Sequence, residues 1–186
     1  MVKVCGITRR QDAEAALETG ASAIGFVFVT RSPRCVTLER AAELGRGLDL
    51  WKVGVFENES AASVEAVMRA AHLDIAQIYG GDVPDVPRIW RAFRGAPSKS
   101  DVPSSEGLEA ILLDGPANGI TFDWKEARGA GTKVIVAGGL DAFNVAEAIR
   151  IAQPWGVDAS SRLESAPGIK DPEKIRQFVK AALKAA

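Results

Sequence analysis

A chain of 186 residues fits one domain, 1–186, since a domain of about 100–200 residues buries on the order of 70% of its unfolded surface. The composition is 47% hydrophobic and 25% charged with a net charge of -1, which supplies no basic field and excludes nucleic acid as an expected partner. No apolar run approaches the ~20 residues of a membrane span, and the N-terminus lacks the charged-then-apolar order of a signal peptide, so a cytoplasmic protein with no membrane partner is expected.

In chain order, eight short apolar runs bounded by turn residues read as strands buried on both faces of a parallel sheet. They are VKVCGI (2–7), AIGFVF (23–28), WKVGVF (51–56), IAQIYG (75–80), RIWRAF (88–93), EAILLD (109–114), KVIVAG (133–138) and WGVDAS (155–160). Helical patterns fall between most of them: 11–20 closing on a glycine, 37–47 opening on Thr37, 60–72 opening on Ser60, then 141–152 and 171–186. Side-chain caps satisfy the orphan amides at a helix start, and glycine permits the left-handed residue at its end. In the last helix Asp171 is placed to cap and Pro172 to stand at the first helical position.

Strand and helix alternating about eight times imply a closed (β/α)8 TIM barrel, with an open doubly wound sheet as the alternative. The middle is thin. GDVPDVP (81–87) leaves room for barely a turn of helix 4, RGAPSKSDVPSSEG (94–107) stands as a Pro/Ser-rich loop in place of helix 5, and WKEARGAG (124–131) offers a short helix 6. Helices 4 to 6 are therefore expected to be shortened or replaced by loops.

A barrel carries its chemistry at the C-terminal ends of its strands. Cys5, Arg34, Gln77, Tyr79, Asp114, Gly138, Gly139, Asp158, Ser160 and Ser161 all fall there. Cys5 and Asp114 lie on separate strands and could face a substrate as base and acid; taken singly, the thiol also reads as a packed core residue and the carboxylate as a loop cap. Gly138-Gly139 at a strand exit lets bare amides approach an anion, with Ser160 and Ser161 as neighbouring hydroxyls; alone, the pair is a tight turn. Arg34 in TRSPR (30–34) could grip a carboxylate or be a solvated charge. His72, the single histidine, sits at a helix end and reads as a surface residue. Cys5 and Cys35 are too few for a disulfide framework and read as reduced thiols.

The series KVCGIT (3–8), GFVF (25–28), SPR (32–34), VGVF (53–56), LLD (112–114), FDW (122–124), AGGL (137–140), NV (144–145), VDASS (157–161) and PGIKD (167–171) runs in order over nearly the whole chain and resembles phosphoribosylanthranilate isomerase. The resemblance implies an Amadori rearrangement of a small phosphoribosyl substrate in tryptophan biosynthesis, with no cofactor and no metal, by a monomer or homodimer. It implies Cys5 as general base, Asp114 as general acid, Arg34 at the anthranilate carboxylate, Asp158 at the sugar, and Gly138, Gly139, Ser160 and Ser161 around the phosphate. The departures are Tyr79, where the family often has histidine, Arg162, where glycine usually follows the two serines, and GPANGI (115–120), a compact loop that gives the acid less cover. Two other readings stay open: the related histidine-pathway isomerase or a dual-substrate form, which Cys5 in place of an aspartate argues against, and a non-catalytic phosphosugar-binding barrel.

Overall fold

A computed structural model describes residues 1–95, 107–116, 119–130 and 133–185. Eight parallel strands close into a barrel: β1 Val2–Cys5, β2 Ala23–Val27, β3 Trp51–Glu57, β4 Ile75–Tyr79, β5 Ile89–Arg94, β6 Ala110–Asp114, β7 Val134–Val136 and β8 Gly156–Ala159. β1 pairs with both β2 and β8, so the open-sheet alternative is overturned. Closure removes the free edges that apolar strands would otherwise expose.

Helices α1 Arg10–Thr19, α2 Leu38–Gly45, α3 Ala61–Ala70, α4 Val145–Ala152 and α5 Pro172–Ala185 cover the outside. Thr37 accepts the Arg40 amide, Ser60 the Ser63 amide, and Asp171 the amides of Glu173 and Lys174, so three of the expected caps form. α4 begins later than expected. Asp141 and Asn144 hydrogen-bond each other's backbone, which holds 141–144 in a turn instead of a first helical turn.

No helix forms over 81–87, and the short sixth helix is a 3-10 turn at Trp124–Ala127. The proline-rich stretch read as replacing helix 5 lies, over 96–106, outside the described residues. One element has no counterpart in the sequence reading: β9 Glu164–Ala166 and β10 Ile169–Lys170 pair antiparallel as a small hairpin after β8.

The core has two shells. Between strands and helices, Ile24, Phe26, Leu44, Val145, Phe178 and Val179 belong to one buried cluster. Another joins Val53, Ile75, Trp90, Leu112 and Ile135 in the barrel interior. At the strand starts Trp155 stacks on Trp51 and meets Trp90 edge-to-face, with Arg88 over the Trp51 ring and Lys133 over the Trp155 ring. This apolar plug fills one end of the barrel and leaves the other end to polar side chains. Among the described residues no helix is long and apolar enough to cross a membrane.

Candidate active site

The strand exits surround one cavity of about 270 Å³, lined by Cys5, Arg34, Gln77, Tyr79, Asp114, Gly138, Gly139, Asp158, Ser160 and Ser161 among others. Every residue singled out as a candidate is on that lining. His72 is exposed at the end of α3, away from it. Cys5 and Cys35 are both free thiols, the first buried and the second exposed.

Asp114 closes β6 and is held by two donors. The Tyr79 hydroxyl donates to Oδ2 at 3.0 Å and the Gly115 amide to Oδ1 at 2.8 Å. Burial raises its pKa above the ordinary carboxyl value, and these two hydrogen bonds only partly offset that. Such a carboxyl is easier to find protonated than a surface one, which suits a proton donor. Burial, with Asp114 and Asp158 nearby, lifts the Tyr79 phenol well above its ordinary value, so it stays a neutral donor.

Cys5 closes β1 directly beside Gly25 of β2, its register partner. A Cβ on Gly25 would stand 2.7 Å from the Cys5 sulfur and 3.2 Å from the Lys3 Cε, so the missing side chain is the space both groups use. Burial pushes the thiol pKa up, and Lys3 pulls it partway back.

Sequence reasoning named Asp158 but passed over Lys3, Lys170 and Glu164, the charged residues beneath these groups. Lys3 is fully buried and donates to Asp158 Oδ2 at 2.8 Å, while Asp158 Oδ1 is buried without a partner among the described residues. Lys170 is likewise buried. Its ammonium donates to Glu164 and to the carbonyl and hydroxyl of Ser160. Arg34 makes a two-pronged contact to Glu164, at 2.7 and 2.8 Å, and lines the cavity.

The Ser160 hydroxyl donates to the Cys5 carbonyl at 3.0 Å and is thereby committed inside the protein, in contrast to the free hydroxyl expected from the sequence. Gly138 and Gly139 have φ of 82° and 64°. A Cβ on Gly138 would sit 2.2 Å from the Gly115 amide nitrogen, and one on Gly139 2.7 Å from the Gly119 carbonyl, so only glycine lets the loops after β6 and β7 meet. Arg162 is half exposed at the rim, near Asp141 and the Gly119 carbonyl.

A family model described as "N-(5'phosphoribosyl)anthranilate (PRA) isomerase" matches residues 2–181. The chain belongs to the phosphoribosylanthranilate isomerase family. A relative of that name from Solibacter usitatus is 50% identical, with 98% of this chain and 96% of the relative covered. The phosphoribosyl anthranilate isomerase of Thermus thermophilus superposes with a TM-score of 0.87 at 32% identity, over 100% of this chain and 99% of that one. An isomerase solved in complex with reduced 1-(o-carboxyphenylamino)-1-deoxyribulose 5-phosphate superposes at 0.84 with 33% identity, over 98% of both chains.

Tyr79 on β4, where the family resemblance leads to an expectation of histidine, reaches with its phenol the carboxyl at the end of β6. The signal for Lys3 and Asp158 was present in the sequence: a lysine and an aspartate each sit in a run that otherwise reads as buried on both faces, and such charges need a partner.

Proposed function

We propose that this chain converts N-(5-phosphoribosyl)anthranilate to 1-(2-carboxyphenylamino)-1-deoxyribulose 5-phosphate in tryptophan biosynthesis, with Asp114 as general acid and Cys5 as general base. The observation that carries the reading is the opposition of these two groups across one cavity, the carboxyl with its pKa raised by burial and the thiol beside a buried ammonium.

Asp114 gives its proton to the furanose ring oxygen, and the C1–O bond breaks to leave an open-chain imine cation. The Cys5 thiolate takes the proton from C2, and that electron pair forms the C1–C2 double bond of a neutral enolamine. Loss of the C2 hydroxyl proton with protonation at C1 completes the ketone. Protons alone are exchanged, so the residues required are a donor, an acceptor and groups that hold the substrate.

Arg34, oriented by Glu164, takes the anthranilate carboxylate through its remaining donors. The ribose hydroxyls donate to Asp158 Oδ1 and Gln77 Oε1, two buried cavity-lining acceptors that no described residue satisfies. The amides of Gly138 and Gly139, the backbone at Ser160 and the Ser161 side chain enclose the phosphate, and Arg162 adds a cation at the rim. Anchoring the substrate through both its phosphate and its carboxylate fixes C1 and C2 between the acid and the base.

The test is a coupled fluorescence assay in which phosphoribosylanthranilate is generated in place from anthranilate and phosphoribosyl pyrophosphate by a separate transferase. Substrate loss far above spontaneous hydrolysis, with the carboxyphenylamino-deoxyribulose phosphate as product, is expected. A folded protein that gives no acceleration overturns the reading, and turnover of the aminoimidazole carboxamide substrate in its place would reassign the chain to the histidine-pathway chemistry.

A further inference from the structure

The barrel closes at the seam between β1 and β8, where Lys3 and Asp158 are register partners. Their side chains meet inside the barrel, 2.8 Å apart, with the lysine fully buried. Cys5 follows Lys3 by two residues on the same strand, so the two side chains emerge on one face. The empty position at Gly25 is flanked by both: Lys3 Cε at 3.2 Å and the Cys5 sulfur at 2.7 Å from where a Cβ would stand. One ammonium thus lies under two acidic groups.

The other charges that face the thiol come from different elements. Lys170 of β10 is already matched by Glu164, and Asp114 of β6 with the neutral phenol of Tyr79 stands across the mouth. Lys3 is therefore the cation that acts most strongly on Cys5, and Asp158 is its competitor for it.

We infer that Lys3 is a positioning residue for the isomerase reaction, a counter-ion that the Cys5 thiolate and the Asp158 carboxylate share in turn. The inference rests on Cys5 acting as the base. A dry site holding one positive charge tolerates one negative charge well and a second poorly. With the thiolate formed, the carboxyl tends to hold a proton or to hand its charge to a ribose hydroxyl. When the thiolate has taken the C2 proton and become neutral, the carboxylate becomes the partner of Lys3, and the ammonium is not left unpaired at either stage. Two acids sharing a cation titrate as a coupled set. Burial raises both acids from their ordinary values and Lys3 draws both back, while burial opposes the lysine's own charge and its two partners more than restore it.

The arrangement predicts opposite effects from its two members. Removing the cation makes the thiol harder to ionise, and removing the competing anion makes it easier. A lysine that merely fills space would not reverse sign in this way.

The experiment follows thiolate formation by ultraviolet absorbance in a Cys35→Ser background, with the Cys5→Ser spectrum subtracted, alongside the pH profile of kcat/KM. Lys3→Met should lower the thiolate fraction near neutral pH about tenfold or more, and should move the basic limb of the profile, which the thiol sets because its pKa lies above that of Asp114, to higher pH by about 1 unit or more. Asp158→Asn should raise the fraction about threefold or more, whatever it costs in sugar binding. Where Lys3→Met does not fold, the Lys3→Met/Asp158→Asn double variant removes the pair together and should still show less thiolate than wild type. A folded Lys3→Met with an unchanged thiol, two single variants that shift in the same direction, or a double variant at or above wild type overturns the inference and leaves the base assignment standing. Full turnover in Cys5→Ser overturns the base assignment, and the inference with it, whatever the thiol titration shows.

Discussion

The hydroxyl of Tyr79, at the end of β4, donates to Oδ2 of Asp114 at the end of β6 across 3.0 Å, spanning the intervening strand. A hydrogen bond to the charged form of an acid favours that form, so Tyr79 draws the Asp114 pKa down from where burial alone would place it. The Gln77 side chain in turn approaches the phenol at 3.4 Å.

Tyr79→Phe therefore leaves Asp114 protonated to higher pH. The expected result is an acid limb of the kcat/KM profile, which the carboxyl sets because its pKa lies below that of the thiol, displaced upward by about 1 unit or more, the size of a hydrogen bond to a charged group of roughly 1.5–3 kcal/mol. An acid limb that stays in place would show that the phenol does not tune the acid.

Gly25→Ala adds a methyl group where the Cys5 sulfur and Lys3 Cε leave 2.7 and 3.2 Å. The strand conformation of Gly25 accepts alanine, so the cost falls on the two side chains and on the Cys5 Cα, also 3.2 Å away. The base must swing from its position, and a displacement on the order of 1 Å costs about 10² in rate. The variant should keep its fold by circular dichroism and lose kcat with little change in KM. An unaltered kcat would mean that the thiol has room to spare.

Glu164 accepts from both Arg34 and Lys170. Burial alone would raise its pKa, but these two cations more than reverse that and hold it below the ordinary carboxyl value. A lowered folded-state value means stability that is present above the unfolded value, about 4.3, and that is lost as pH falls through the folded one. Glu164→Gln should cost on the order of 3 kcal/mol near neutral pH, because it leaves the fully buried Lys170 ammonium without its anion. Denaturant melts at falling pH should show the gap between wild type and variant narrowing below about pH 4. A gap independent of pH would contradict the ion-pair account.

Much of this was legible in the sequence for physical reasons. Runs such as AILL and VIV are apolar at every position because parallel strands are covered on both faces, and the residue at which such a run turns polar marks the barrel mouth. That rule placed Cys5, Asp114, Asp158 and the Gly138-Gly139 turn on one cavity before any coordinates. The rule is blind to register. Lys3 and Asp158 are 155 residues apart in sequence, and their meeting follows from how β1 and β8 align at closure. The hairpin of β9 and β10 was missed because each strand is only a few residues long, too short for a periodic signal. With it went Glu164 and Lys170, and hence the discovery that Arg34 enters the site already braced. The resemblance implies Ser160 at the phosphate, and nothing in the sequence shows that its hydroxyl also reaches the Cys5 carbonyl.

The measurement that bears most directly on the account is kcat for Cys5→Ser and for Asp114→Asn on phosphoribosylanthranilate, each compared with wild type after circular dichroism has shown the same fold. Both cavity-lining groups are assigned a proton transfer in the reaction, so each variant should lose about 10² to 10⁴ in kcat while still binding the substrate. Turnover close to wild type in either one would contradict the assignment of that residue and, with it, the two-sided acid and base mechanism.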